Sequence, residues 1–495
     1  MKIIDPLGAH ERVAVLGLGA SGLAACRLLR ALGKQVVASD GRLTAPPPGL
    51  PPGCELHLGA HELGGATAAV ISPGLNPEWP ENAANPALAP IWRAWRAGAI
   101  ELISEVELGM RACDVPVVAV GGTDGKSTTA ALTAHLLSGC GLPALLGGNS
   151  WRALSDVVLE ATQAGAAARA VVAEVSAFQL QDPHGMRPTV ALMTNIANDH
   201  LDHYASEADY VRAKRHILRN LGPGATVALR ASDPALRAWI EPATEAGCQV
   251  VSYDSAPYGS APYGSGPGAA EPLAGVASGA WVEAPGSTHG LLVVRAHGRS
   301  VTVPRAALPL PGDHNARNAL AAMIAVAALA PPEVDDATLG RQLAAAMGTF
   351  RGLPHRIEWV ADVAGVRWYN DSKATNVHAA CVGLGAMDRP TIAIVGGADK
   401  QLDLEPLIAA LADRARATLV IGQLAARLEA EAAGRVPGIE RCGTIERAVA
   451  RAAQLAADGD AVLLAPACSS FDQFRSFEHR GEVFRELVLG LAAQA

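Results

Sequence analysis

The segment Gly122-Thr123-Asp124-Gly125-Lys126-Ser127-Thr128 sets a lysine between a glycine and a hydroxyl residue, after the apolar run 115–120 and before an Ala/Leu-rich helical stretch. At a strand-to-helix turn of this kind, backbone N–H groups and the Lys126 ammonium can cradle phosphates while Ser127 reaches Mg²⁺. The generic phosphate loop GxxxxGK[ST] is not met in full, because Val120 stands where its first glycine belongs. Two later apolar runs, 170–175 and 189–194, end in polar residues: Glu174 with Ser176, then Asn198-Asp199-His200. In parallel α/β sheets ligands sit beyond the carboxyl ends of the strands, so these groups should face the same phosphates. Glu174 and His200 are therefore candidate Mg²⁺ ligands, the alternative for His200 being a solvated loop.

Of the 40 basic residues only six are lysines: Lys2, Lys34, Lys126, Lys214, Lys373 and Lys400. Where arginine serves as the general surface cation, the remaining lysines mark places to examine for chemistry a guanidinium cannot do. If 207–220 is a helix, Lys214 lies in the stripe of Val211, Ile217, Leu218 and Leu221, with Arg212, Arg215 and Arg219 on another face. An inward lysine is either desolvated towards its neutral, nucleophilic amine or snorkels out to water. Lys373 sits in Asn370-Asp371-Ser372-Lys373-Ala374-Thr375-Asn376 and Lys400 closes Gly396-Gly397-Ala398-Asp399-Lys400, each at an expected strand end, and Ser469-Ser470 follows a third strand. Three such loops on one sheet edge would suit an anionic ligand. Lys2 and Lys34 fall in no motif.

A further glycine cluster, Gly17-Leu18-Gly19-Ala20-Ser21-Gly22, follows a strand and opens a helix, with Asp40 ending the next strand. This is dinucleotide-binding spacing, and it leaves NAD and a nucleotide sugar equally open.

These turns need scaffolds. At 495 residues the chain has length for about three domains. Alternating strands and helices throughout predict an α/β fold with parallel sheets: a Rossmann-like domain over 1–104, a P-loop-type ATPase domain over 105–350 and a second Rossmann-like domain over 351–495. The repeated SAPYG unit within about 254–268 reads as a surface insertion. Half of the residues are apolar and 18% are charged, which excludes a largely disordered chain, and a net charge of −8 offers no basic footprint for nucleic acid. Eight scattered cysteines without a CxxC pair, and no signal-like or membrane-length apolar segment, suit a protein of the reducing cytoplasm.

In order along the chain, GTDGKST, AEVSAFQL, NDHLDHY, YVRAK, GDHNARNAL, GLPHRIE, NDSKATN and APACSSFDQF resemble the ATP-dependent Mur ligases of peptidoglycan synthesis. The GLGASG start, NDSKATN and SSFDQF point within that family to members that join D-glutamate to UDP-N-acetylmuramoyl-L-alanine. The resemblance implies an acyl-phosphate route in which Lys126, His200, Lys214 and His355 carry the chemistry. ATP would lie on Gly122, Thr123, Asp124, Gly125, Lys126, Ser127 and Thr128, with Asn318, Arg356 and Asp371 at the nucleotide. Two Mg²⁺ ions would be held by Ser127, Glu174, His200 and Lys214, the lysine as a carbamate. The UDP-sugar would meet Ala20, Ser21, Asp40, Arg42, Gly74, Asn149 and Ser176, which makes the first glycine cluster a nucleotide-sugar site. D-Glutamate would meet Lys373, Thr375, Lys400, Ser470 and Phe477. A monomer acting on small molecules, with no membrane or nucleic-acid partner, is expected. Where the family usually has Asn this chain has Asp124, whose charge should point away from the γ-phosphate. The competing readings are a related ligase of other amino-acid specificity and an NAD-dependent oxidoreductase, which would leave the phosphate loop and both lysine loops without a use.

Overall fold

The structure, a computed structural model, describes residues 1–493 except 77, 78, 80, 81, 83, 182–184, 198–203, 205, 255–277, 284–289, 400–402 and 433. His200, Lys400 and the SAPYG repeats lie outside the described residues. The chain adopts the expected α/β class, with three sheets that are mainly parallel. Residues 1–305 with 317–346 form one compact unit, and 306–316 with 347–495 form another.

In the first unit, five parallel strands run in the order Glu55–Leu58, Gln35–Asp40, Arg12–Leu16, Ala68–Ile71, Glu101–Ser104. The inner strands are buried along their length, as parallel strands covered on both faces must be. Strand order reverses at Arg12–Leu16, so a crevice opens at the carboxyl end of that strand, where the glycine cluster stands. Gly22 is required there: a Cβ would lie 1.9 Å from the Gly17 carbonyl oxygen, so only glycine lets the helix Ala20–Ala31 pack this closely on the turn.

The second sheet of this unit has nine strands. Its parallel part runs Ala144–Gly148, Ala170–Glu174, Val117–Gly121, Val190–Met193, Thr226–Arg230, Gln249–Asp254, Gly279–Glu283, and Leu291–Ala296 and Arg299–Pro304 extend it as antiparallel strands. Val117–Gly121, the strand that feeds the phosphate loop, is therefore flanked by the strands ending at Glu174 and Met193. Helices join the two sheets. Arg27 on the helix Ala20–Ala31 makes a two-pronged ion pair with Asp156 on Leu154–Gln163, at 2.8 and 2.6 Å. Lys34 is buried, its Nζ donating to the Gly8 carbonyl at 2.9 Å and to the Asp5 carboxylate at 2.6 Å.

The second unit holds six strands in the order Glu358–Val363, Val366–Asn370, Ala461–Leu464, Thr391–Gly396, Ala415–Ile421, Ile439–Gly443, parallel except at the first. Among the described residues no helix is long and apolar enough to cross a membrane.

One element is shorter than its periodicity predicts. The α-helix over Glu207–Arg215 tightens into a 3₁₀ turn at His216–Leu218. Gly222-Pro223 follows, and the residue before a proline is kept out of helical geometry. The buried stripe is accordingly Tyr210, Ala213, Lys214 and Ile217, while Val211 and Leu218 are only partly buried.

Candidate functional site

The phosphate loop is fixed from below by residues the motif does not contain. Gly122 lies at φ +133°, and a Cβ there would meet Thr194 Oγ1 at 1.9 Å. Thr194 Oγ1 in turn donates to the Asp124 carbonyl at 2.6 Å. Asn195 accepts from Thr123 N–H at its backbone oxygen (2.9 Å) and from Asp124 N–H at Oδ1 (2.8 Å). Its Nδ2 donates to the Asp124 carboxylate at 3.2 Å. Thr123 Oγ1 is 3.1 Å from the Tyr210 hydroxyl and accepts from Ala197 N–H. With those two N–H groups engaged, the donors aimed out of the helix end belong to the first turn of Lys126–Gly139, at Lys126, Ser127 and Thr128. Gly125 at φ +76° opens that helix, and a Cβ on it would come within 2.9 Å of Asn318 Oδ1, so Asn318 borders the loop. Lys126 Nζ donates to the Thr123 carbonyl at 2.6 Å.

Lys214 is 2% exposed, and its Nζ donates to the Gly122 carbonyl while lying 4.5 Å from the Tyr210 ring centroid. The inward alternative is the one adopted, and the amine reaches the phosphate loop itself. Glu174 is fully buried, with Oε1 accepting from Asn149 Nδ2 (3.1 Å) and Ser150 Oγ (2.7 Å) and Oε2 from Trp151 Nε1 (2.9 Å). All three of these donors are neutral. A buried carboxylate is a hard-oxygen donor of the kind Mg²⁺ takes, and Ser127 offers a hydroxyl in the first turn of the helix Lys126–Gly139. The described residues contain no group of three or more His, Cys, Asp or Glu side chains placed to hold a metal. Ser176 caps the short helix Ala177–Gln181: its Oγ accepts from Gln179 N–H at 3.3 Å, and its own N–H and Oγ donate to Gln179 Oε1 at 3.0 and 3.1 Å.

At the first glycine cluster, Asp40 clasps the turn. It accepts from Leu18 N–H at 2.8 Å through one oxygen and from Arg42 and Leu43 N–H at 2.8 and 3.1 Å through the other. Burial pushes this carboxyl up, but the three backbone donors together hold it below the usual range. Ala20 and Ser21 open the helix above it, and Gly74 lies in the 3₁₀ turn Pro73–Leu75, which follows the neighbouring strand.

In the second unit, the loops at 371–375, 466–470 and 397–399 leave three adjacent strands. Lys373 Nζ lies 5.6 Å from the Phe477 ring, and His355 meets the same ring edge-on at 6.1 Å. His355 adopts φ +64° and is 9% exposed, its N–H donating to Glu358 Oε2 at 2.9 Å and its Nδ1 lying 3.1 Å from Asn370 Nδ2. Thr375 N–H donates to the Lys373 carbonyl. Ser470 Oγ is buried and has no hydrogen-bond partner among the described residues. Burial pushes Asp371 up to about 7 against the pull of Ile357 N–H and of the neighbouring, exposed Arg356. His355, Lys373, Thr375, Ser470 and Phe477 are thus on one edge of one sheet.

Motif reading missed Thr194, Asn195 and Arg480, and gave no individual role to Tyr210 and Asn370 within their motifs. Asn195 had a signal, since it stands just past the strand Val190–Met193, at the strand end where ligand groups of a parallel sheet gather. Arg480 had one too, lying with Phe477, Phe484 and Val488 at helical spacing in an otherwise apolar stripe.

The Mur ligase middle domain matches residues 120–326 and the Mur ligase glutamate ligase domain matches residues 355–468. The chain belongs to the Mur ligase family. It is 37% identical to the UDP-N-acetylmuramoylalanine–D-glutamate ligase of Aromatoleum aromaticum, over 96% of each chain. It is 35% identical to the enzyme of that name from Salinibacter ruber, over 97% of this chain and 98% of the other. Among solved structures, a UDP-N-acetylmuramoyl-L-alanyl-D-glutamate–2,6-diaminopimelate ligase superposes with TM-score 0.58 at 16% identity, covering 86% of this chain and 92% of that one. A pseudomurein peptide ligase type C from Methanothermus fervidus gives TM-score 0.50 at 18% identity, over 97% and 100%.

Proposed function

We propose that this chain joins D-glutamate to UDP-N-acetylmuramoyl-L-alanine with cleavage of ATP, acting as a cytoplasmic monomer in peptidoglycan precursor synthesis. It does so with a UDP-sugar domain at 1–104, an ATP domain at 105–350 and an amino-acid domain at 351–495. The observation that carries the reading is Lys214, a buried amine delivered to the carbonyl of the phosphate-loop residue Gly122. An NAD-linked oxidoreductase has no use for that arrangement.

The γ-phosphoryl group of ATP passes to the alanyl carboxylate, giving an acyl phosphate and ADP. The amine of D-glutamate then attacks the acyl carbon, loses a proton, and phosphate leaves as the amide forms. Lys126 turns from the Thr123 carbonyl to the β- and γ-phosphates, which the N–H groups of the following helical turn also meet. Asn318, Arg356 and Asp371 hold the nucleotide. His355 orients the acyl phosphate. Mg²⁺, two ions in this reading, supplies charge neutralisation for the transferring phosphoryl group, and Ser127, Glu174, His200 and carbamylated Lys214 would hold it. Ala20, Ser21, Asp40, Arg42 and Gly74 bind the UDP group, and Asn149 and Ser176 the sugar–alanyl part. The two carboxylates of D-glutamate lie on Lys373, Lys400, Thr375, Ser470 and Phe477. Asp124, tied to Asn195, lies off the path of transfer.

The test is product analysis with ATP, UDP-N-acetylmuramoyl-L-alanine and one labelled amino acid at a time. D-Glutamate should enter a UDP-linked product one-for-one with ADP and phosphate. Equal incorporation of L-alanine or L-glutamate, or phosphate release without any amino acid, rejects the assignment.

A further inference from the structure

Arg480, on the helix Phe477–Ala492, is 0% exposed and forms no ion pair with a carboxylate among the described residues. Its hydrogen bonds go to loops instead. Nε donates to Ser372 Oγ at 2.9 Å, and Nη2 donates to the Ser372 carbonyl at 2.9 Å and to the Cys468 carbonyl at 3.1 Å. Ser372 Oγ passes the contact on by donating to the Phe477 carbonyl at 2.8 Å. The third loop rests on the same group: a Cβ on Gly397 would lie 3.1 Å from Nη1 and 2.4 Å from the Ser469 carbonyl, and Ala398 N–H donates to that carbonyl at 3.0 Å. One planar cation therefore ties together by hydrogen bonds the loops that leave two neighbouring strands, through the residue before Lys373 and the residue two before Ser470, and lies against Gly397 on the third. Burial lowers its pKa to about 10, which leaves it protonated at neutral pH. Asp472 attracts it from beyond ion-pair distance, and a buried charge without a directly paired carboxylate is costly, so its retention calls for a positional use.

We propose that Arg480 is a positioning residue that fixes the spacing between the Lys373 loop and the Ser470 loop, and thereby the fit of a dicarboxylate amino acid between them. The proposal rests on the functional reading given above. Lysine retains the charge but lacks the fork that reaches Ser372 and Cys468 together.

The experiment is steady-state kinetics on the full chain for Arg480→Lys and Ser372→Ala, with circular dichroism to establish folding. For Arg480→Lys the KM for D-glutamate should rise about tenfold or more while kcat at saturation stays within about threefold. The KM values for ATP and the UDP-sugar should hold within about twofold, and preference for D-glutamate over D-aspartate should shrink. Ser372→Ala, which removes one acceptor, should move the same KM by about threefold. An unchanged KM for D-glutamate in Arg480→Lys, an equal rise in all three KM values, or a loss confined to kcat overturns the proposal. Should Arg480→Lys fail to fold, Ser372→Ala decides alone, and its having the wild-type KM overturns it. If the wild-type enzyme proves to require a different amino acid, the functional reading fails, and the same comparison is made on the KM of that amino acid.

Discussion

Lys214 and Arg480 are both cations buried in the apolar stripe of a helix, and both reach out to the backbone of loops at the carboxyl ends of strands. They differ in what their chemistry permits. A lysine can give up its proton in a dry setting and react, whereas a guanidinium stays charged and offers a rigid fork of donors. Lys214 reaches the Gly122 carbonyl at the edge of the phosphate loop, and Arg480 binds three acceptors on two loops. The contrast separates a buried cation placed to be changed from one placed to hold its neighbours in register.

The largest effect expected from this contrast is at Lys214. Lys214→Ala should lower ATP-dependent phosphate release by about a hundredfold or more, with partial return of activity on adding short carboxylates such as acetate. A fully active variant would remove the reactive role. Next is the helix that carries Arg480. A Cβ at Gly481 would stand 2.0 Å from His355 Nδ1, so Gly481→Ala must displace either the ring or the helix. The expected loss is about 1–3 kcal/mol in urea unfolding, together with a rise in the KM for D-glutamate.

Glu105 supplies a buried charge of the opposite sign. It is 3% exposed, accepts from Ser155 N–H at 2.7 Å, and burial pushes its carboxyl up to about 7 against that hydrogen bond. Because the folded value lies above the unfolded one, its stabilising effect is complete below about pH 4.5 and is lost as pH rises towards 7. Glu105→Gln, neutral throughout and still able to accept from Ser155, should flatten the fall in stability between pH 5 and 8 by on the order of 2–3 kcal/mol. A parallel pH profile would contradict the assignment. The smallest effect is at Asp124, which is exposed and paired with Asn195. Asp124→Asn should change the KM for ATP by less than about threefold, and a large tightening would place its carboxylate against the γ-phosphate.

What could be read from sequence followed from strand ends. Glycine clusters, the GKST turn and the three loops of the C-terminal sheet were legible because parallel sheets gather ligand groups at one edge, and Lys214 because its neighbours were apolar at helical spacing. Asn195 and Thr194 were passed over, since their side chains hold the backbone of the phosphate loop and no motif includes them. Arg480 was hidden among 34 arginines, whereas Lys214 stood out among six lysines. Scarcity was an imperfect guide even so: Lys34 is as buried as Lys214, yet it ties the Gly8 carbonyl and Asp5. Asp40, placed by spacing as a ligand acceptor, has both oxygens engaged with the backbone of its own turn and the following loop. The strands over 279–304 went unread because the insertion separates them from the α/β alternation.

The division of roles is tested most directly by ¹³C NMR of protein equilibrated with ¹³C-bicarbonate, which reports a carbamate carbon on lysine. With six lysines in the chain the background is small. The account predicts one slowly exchanging carbamate resonance in the wild-type protein, absent from Lys214→Ala and retained in Arg480→Lys. A wild-type spectrum without that resonance, or one that Lys214→Ala leaves unchanged, would contradict it.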